Sequence, residues 1–248
     1  MTHNDIYTKF MIEYDKANVT SSYPSLTEYE VATVLDKAYN ALIAQKITGN
    51  NIRRSTFESD VKSIADLEPL VKRSSIGLVP DLYIQNAMEG NMPEDMLYFV
   101  SAYLKQDAEK VPMDDKKTNR DLPVRLVTHD MATKFFSTSY NLPWVKIPVC
   151  FLENNKIHIV VDPIKTPKTS GASVVYIKKP NPFVKELGNT QTYASFFDPG
   201  QQPVPPEYQF ECNSTVAEEL ISLAVAFALE NVESQRLNSK LNMRGLEG

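Results

Sequence analysis

The chain has 248 residues, enough for one large domain or two small ones with a sizeable core. Hydrophobic residues make up 42% and charged residues 23%, an ordinary globular balance, and a net charge of −5 argues against a protein that grips nucleic-acid phosphates. Two cysteines exclude a disulfide scaffold and a four-cysteine zinc site, and eight glycines against sixteen prolines disfavour phosphate-cradling loops. From the start of the chain, Ile6, Tyr7, Phe10, Met11 and Tyr14 recur at helical spacing and predict an amphipathic helix. "MTHNDIYTKF" carries neither a basic n-region nor an apolar h-region, so no secretory signal is expected, and a reducing cytoplasm is the expected place of synthesis. Thr27-x-x-Glu30 is a capping box that opens a second helix. Val31, Val34, Leu35, Ala38, Leu42 and Ile43 form its buried face, and Gly49 stops it. Ser55-x-x-Glu58 predicts a third start, with Phe57, Val61, Ile64 and Ala65 inward and Pro69 ending the helix near Leu67.

Residues 69–120 read as a mixed segment and polar loop. Within them "EDMLYFVSAYL" favours strand through Tyr98, Phe99 and Val100, and "EKVPMDDKKTNRD" is a polar loop. Residues 121–185 turn to β character. Thr128 is placed to cap a short helix carrying Met131, Phe135 and Phe136, and Trp144 is expected to anchor the start of the strand that follows. A hairpin is expected at 145–162, turning at Asn154-Asn155, because asparagine tolerates left-handed backbone. Glu153 should pair with Lys156, Leu152 with Ile157 and Cys150 with Ile159 on one apolar face. Phe151 with His158 and Val149 with Val160 share the other. Pro148 cannot donate to a ladder, which predicts that Val145–Glu153 is an edge strand there, with "SVVYIKKP" adding to the hairpin's far side. Residues 186–211 read as an extended arm stiffened by Pro199, Pro203, Pro205 and Pro206. Residues 212–248 form a last helix, opened by Thr215-x-x-Glu218, and a polar tail. Leu220, Leu223, Ala224 and Phe227 mark one face of that helix and Ile221, Val225, Ala228 and Val232 the other, so it should be buried on all sides. Its apolar run, Leu220 to Leu229, is about half a membrane span.

Catalytic signatures are missing. His3, His129 and His158 show no metal spacing, and HExxH and CxxC do not occur. Asp114-Asp115 sits in a lysine-rich loop and reads as solvated surface. One nucleophile system, Cys150 with His129 and Asp130, can be written down, but Cys150 falls on an apolar strand face where a thiol behaves as a small hydrophobe. Cys212 precedes a helix with no histidine near it in sequence.

These readings give an α+β fold: helices of the two termini packed as a bundle, with a small antiparallel β domain inserted between them. The segments "VRLVTHDMATKFFSTSYNLPWVKIPVCFLENNKIHIVVDP", "VVYIKKP" and "ELISLAVAFALENVESQR", with "DIYTKFMIEYDKA" and "TEYEVATVLDKAYNALI" before them, resemble virion proteins of crAss-like phages of Bacteroides-type gut bacteria. The resemblance implies a structural subunit of the head-to-tail connector, in a ring that is commonly twelve-fold and stacks below the portal. It implies contacts with itself, the portal and adjacent rings, a DNA channel without specific binding, a place in the virion neck, no membrane, no cofactor and no catalytic residue. The expected assembly interface comprises Leu223, Phe227, Val232, Arg236, Leu237, Lys178 and Lys179. Alternatives are a small phage or bacterial enzyme using Cys150, His129 and Asp130, and a soluble DNA-associated module using Lys178 and Lys179.

Overall fold

The computed structural model describes residues 1–17, 26–49, 57, 60–84, 86–106, 121–136, 142–144, 147–162, 169–187, 191–194, 196 and 206–231. The chain divides into two compact units: Met1–Leu70 with Pro180–Gly248, and Val71–Lys179.

The first unit is built on helices α1 (His3–Ala17), α2 (Glu28–Thr48), α3 (Val61–Leu67) and α5 (Ser214–Asn231). Ile6, Phe10 and Tyr14 form the buried stripe of α1. At the head of α2, Thr27 Oγ1 accepts the Glu30 N–H at 3.3 Å while the Glu30 carboxylate accepts the Thr27 N–H at 2.7 Å. Gly49 closes the helix at φ 74°, a conformation glycine adopts without Cβ strain. Both α1 and α2 pack on α5. Leu220, Leu223 and Ala224 on one face of α5 and Ile221, Val225 and Ala228 on the other are all buried. Burying its Leu, Ile and Val side chains contributes roughly 10 kcal/mol before entropy is subtracted. Asn213, rather than the expected Thr215, caps α5, its Oδ1 accepting the Val216 N–H at 2.9 Å. Thr215 lies inside the first turn, where a side chain cannot reach forward to a free N–H.

Two expectations change here. Asp60 caps α3, its Oδ1 accepting the Lys62 N–H at 3.1 Å, and the helix turns Ser63, Asp66 and Leu67 inward. Val61 is 82% exposed and Ile64 is half-exposed, the reverse of the expected face. The physical reason is Asp66, which is drawn inside by Lys46 at 2.7 Å. Ser55 and Glu58 lie outside the described residues. The second change concerns 186–211: part of this arm pairs, β9 (Val184–Leu187) running antiparallel to β10 (Gln191–Ala194). Pro206 begins a 3-10 turn at Pro206–Tyr208, and Pro199, Pro203 and Pro205 lie outside the described residues. The Asp36 carboxylate on α2 accepts the N–H groups of Phe183 and Val184 at 2.7 and 2.9 Å, anchoring β9 on the helix.

The second unit is an eight-stranded sheet in the order β1-β8-β4-β5-β6-β7-β3-β2. Its strands are β1 (Val71–Ile76), β2 (Val79–Pro80), β3 (Ala87–Asn91), β4 (Met96–Gln106), β5 (Asp121–Leu126), β6 (Val149–Glu153), β7 (Lys156–Val160) and β8 (Thr169–Lys178). Half of them come from 71–106, within the segment that reads from sequence as mixed. The outermost strands, β1 and β2, are separated by only Gly77 and Leu78, so the sheet curls until its edges meet. Contact there is close: a Cβ on Gly90 would lie 2.9 Å from the Gly77 carbonyl oxygen, and one on Gly171 2.8 Å from that of Ile76.

The hairpin forms with the expected register, Val149 opposite Val160 through Glu153 opposite Lys156. Asn154 and Asn155 take φ of 49° and 58°. Its surroundings differ from expectation. β6 is not an edge: β5 lies beside it in parallel, with Arg125 opposite Val149. Pro148 tolerates this because its carbonyl, which proline retains, accepts the Arg125 N–H at 2.9 Å. The sheet is therefore mixed rather than wholly antiparallel. Helix α4 (His129–Phe136), lying between β5 and β6 in the chain, supplies the long crossover that a parallel pair requires. On the hairpin's far side stands β3; β8, which carries the "SVVYIK" of "SVVYIKKP", pairs with β1 and β4 instead.

Candidate assembly surfaces

Both faces of the hairpin are covered. Cys150, Ile157, Ile159 and Val161 join Ala102 and Leu104 of β4, Val124 of β5 and Ala172, Val174 and Tyr176 of β8 in the core inside the curl. Val149, Phe151 and Val160 face the other way and pack with Ala87, Ala132 of α4 and the half-buried Ile84 and Phe135.

This geometry separates the one nucleophile system that the sequence allowed. Cys150 is fully buried in the inner core, and burial pushes its thiol pKa up to about 12. The His129 ring packs edge-on against Phe151, 5.3 Å between centroids, on the opposite face of β6. Side chains of consecutive strand residues point to opposite faces, so the sheet stands between the thiol and the imidazole. Asp130 is exposed on α4. Cys212 is buried with its Sγ 3.2 Å from the Tyr39 hydroxyl.

Of the residues expected at an assembly interface, Leu223 and Phe227 belong to the first unit and Lys178 and Lys179 to the second. Leu223 is 2% exposed, its apolar surface already covered by the chain itself. Phe227 is half-buried beneath the Lys37 ammonium, 4.7 Å from the ring centre. Lys178 ends β8 opposite Met96. The Lys179 N–H donates to the Asp95 carbonyl at 2.7 Å and its ammonium to the Glu94 carbonyl at 3.1 Å. The basic pair thus sits against an acidic turn, which weakens its pull on a phosphate. Val232, Arg236 and Leu237 lie outside the described residues. Trp144 is 63% exposed, and its carbonyl accepts the Ile147 N–H at 2.8 Å.

One polar cluster escaped the sequence reading. Asp81, Glu89 and His158, on the β2–β3 connection, β3 and β7, bring ligand atoms within 4.8 Å of one another, the one such set among the described residues. His158 stacks flat on Phe151, 4.9 Å between centroids, and its Nδ1 lies 2.7 Å from Asp81 Oδ2. Asp81 Oδ1 accepts the N–H groups of Tyr83 and Ile84 at 2.8 and 3.1 Å. Burial pushes the Asp81 pKa up, but these two N–H groups and His158 together hold it below its ordinary value. Glu89 is paired with Lys156 at 3.1 Å. With every member already engaged, the cluster acts as a strut holding residues 81–84 to the sheet. Pro80-Asp81 is a turn signal, but Leu82 and Tyr83 after it read as strand. The loop leaves Leu82 87% and Tyr83 94% exposed.

No helix among the described residues is long and apolar enough to cross a membrane. None of the curated proteins matches the chain. Residues 1–237 match the family described as phage tail ring protein 3/4, and since this spans nearly the whole sequence, the chain belongs to that family of crAss-like phage ring proteins.

Proposed function

We propose that this ring subunit is part of the head-to-tail connector in the virion neck, where it bridges portal and tail and lines the passage for genomic DNA. The observation that carries the reading is the ring-family match over residues 1–237. A net charge of −5 supports the DNA passage, because a wall without a cationic surplus avoids the counterion-release affinity that would retain the genome. The proposed partners are further copies of the chain in a twelve-fold ring, the portal and the adjacent ring. Phe227, Val232, Arg236, Leu237, Lys178 and Lys179 are the proposed contact residues. Leu223 supports them from within its own helical unit.

Electron microscopy of virions labelled with antibody against this chain tests the position. Label at the neck is expected, and label confined to another part of the virion refutes the connector assignment. Deletion of residues 235–248 tests the tail: the truncated chain should keep its helical content and lose assembly. A truncated chain that unfolds makes the tail part of the core and overturns that part of the proposal.

A further inference from the structure

We infer that the loop tip formed by Leu82 and Tyr83 is an anchor by which one copy of the chain holds the next copy in the ring; this rests on the ring reading above. The loop is built rather than slack. Besides the Asp81 carboxylate bonds, the Asp81 N–H donates to the Ala87 carbonyl at 3.0 Å and the Ala87 N–H to the Ile84 carbonyl at 3.3 Å. Asn86, at φ 68°, offers its carbonyl to the Val161 N–H at 2.9 Å. Ile84 turns inward onto the cluster beneath α4, while Leu82 and Tyr83 point away. A slack loop would fold two such side chains onto the surface. The backbone bonds of Asp81, Ile84 and Asn86 hold this one, so binding has little backbone ordering to supply and only the rotamers of the two side chains remain to be fixed.

The area is sufficient to matter. A tyrosine and a leucine held almost wholly in solvent present about 350 Å² together. That is nearly half of the roughly 800 Å² each partner contributes to a stable interface. Val79, two residues before Asp81, is 55% exposed as well. Tyrosine is among the residue types enriched at binding hot spots, so Tyr83 is the principal anchor and Leu82 widens the apolar contact around it. The occupant follows from the ring. A closed ring of one chain needs head-to-tail contacts, in which a projecting patch on each copy meets a different surface on the next. Nucleic acid is a poor occupant, because Asp81 and Glu89 behind the tip are anionic and the Lys156 ammonium is committed to Glu89.

The test places a benzoylphenylalanine photo-cross-linker at position 83 of the full chain, in an equal mixture of unlabelled and nitrogen-15-labelled protein. Cross-linked peptides joining labelled to unlabelled chain are expected. Cross-links only within one molecule, or only to another virion protein when virion proteins are added, overturn the inference. In parallel, Leu82→Asp/Tyr83→Asp should weaken self-association about tenfold or more by mass photometry, with an unchanged circular dichroism spectrum. Tyr83→Ser alone, which leaves the Asp81 bonds in place, should weaken it in the same direction. If wild type and variants associate equally, the anchor is wrong and the ring reading stands. A wild-type chain that forms no oligomer alone, and gives no chain-to-chain cross-link from position 83 when the virion proteins are added, overturns the anchor.

Discussion

Lys46 is the side chain whose loss should reveal most about how the helical unit holds together. Its ammonium is buried at the junction of α2, α3 and α5, 2.7 Å from Asp66 and 2.6 Å from Glu219. Asp66 also accepts from Asn213 Nδ2 at 3.1 Å, and Asn213 in turn caps α5. Glu219 also pairs with Lys62 at 3.0 Å. Lys46→Met keeps the aliphatic volume and leaves two carboxylates with one partner each. Removing one member of a buried pair costs about 3–5 kcal/mol, and the surviving partners put this case near the lower end, about 3 kcal/mol. At a urea slope of roughly 2 kcal/mol per M, the midpoint should fall by about 1.5 M with the slope unchanged. The assay is urea unfolding followed by helical circular dichroism. Asp66→Asn should be destabilising too, and the double variant should lose less than the sum of the singles by about 1 kcal/mol or more. A midpoint shift below about 0.5 M, or strictly additive losses, would show that water already serves these carboxylates and that the network does not bind the three helices. The pH behaviour has a definite sign. Burial lowers the Lys46 pKa, but the bonds from Asp66 and Glu219 outweigh it and leave it above its ordinary value of 10.5. Protonated Lys46 therefore stabilises the fold throughout neutral pH, and this contribution disappears only as pH rises through the raised folded-state pKa.

Two further outcomes follow from the sheet and the cysteines. Neither Cys150 nor Cys212 should react with Ellman's reagent in the folded chain at about pH 8, while both should react in denaturant; rapid labelling of the native protein would contradict the burial of both thiols. Asn154→Ile should destabilise by about 1–2 kcal/mol, because a β-branched residue resists the positive φ of this turn, whereas Asn155→Gly should be neutral or mildly stabilising. Equal unfolding midpoints for the two variants would argue against the left-handed turn.

The helix signals that were legible are those satisfied within a few residues. The capping box of α2 and its Gly49 stop need only their own turn, and the Asn154-Asn155 hairpin carries its register in the alternation of its flanks. Failures came where a distant partner outweighed the local pattern. Val61 and Ile64 look like a core stripe, but α3 rotates to bring Asp66 to Lys46, a residue on another helix. Thr215-x-x-Glu218 has the form of a capping box, but Asn213 caps first and is held there by Asp66. Pro148 suggests an edge because a missing N–H is visible in sequence, whereas the carbonyl that accepts from Arg125 is common to every residue and signals nothing. The exposed pair at 82–83 was invisible for a similar reason. Leucine and tyrosine normally mean burial, and only the bonds of Asp81 to the loop and to His158 keep them outside.

By itself the sequence determined the existence and type of the strongest elements, the alternation that gives the hairpin two apolar faces, and the burial of the C-terminal helix on both sides. These depend on periods of two and 3.6 residues, which the backbone imposes locally. Tertiary structure alone decided the order of the eight strands, the parallel seating of β5 on β6, the separation of His129 from Cys150, and the covering of Leu223 by its own chain. Each of these is a choice among partners distant in sequence, and it is settled by which arrangement buries the apolar faces while keeping buried polar groups such as Lys46 and Asp66 paired.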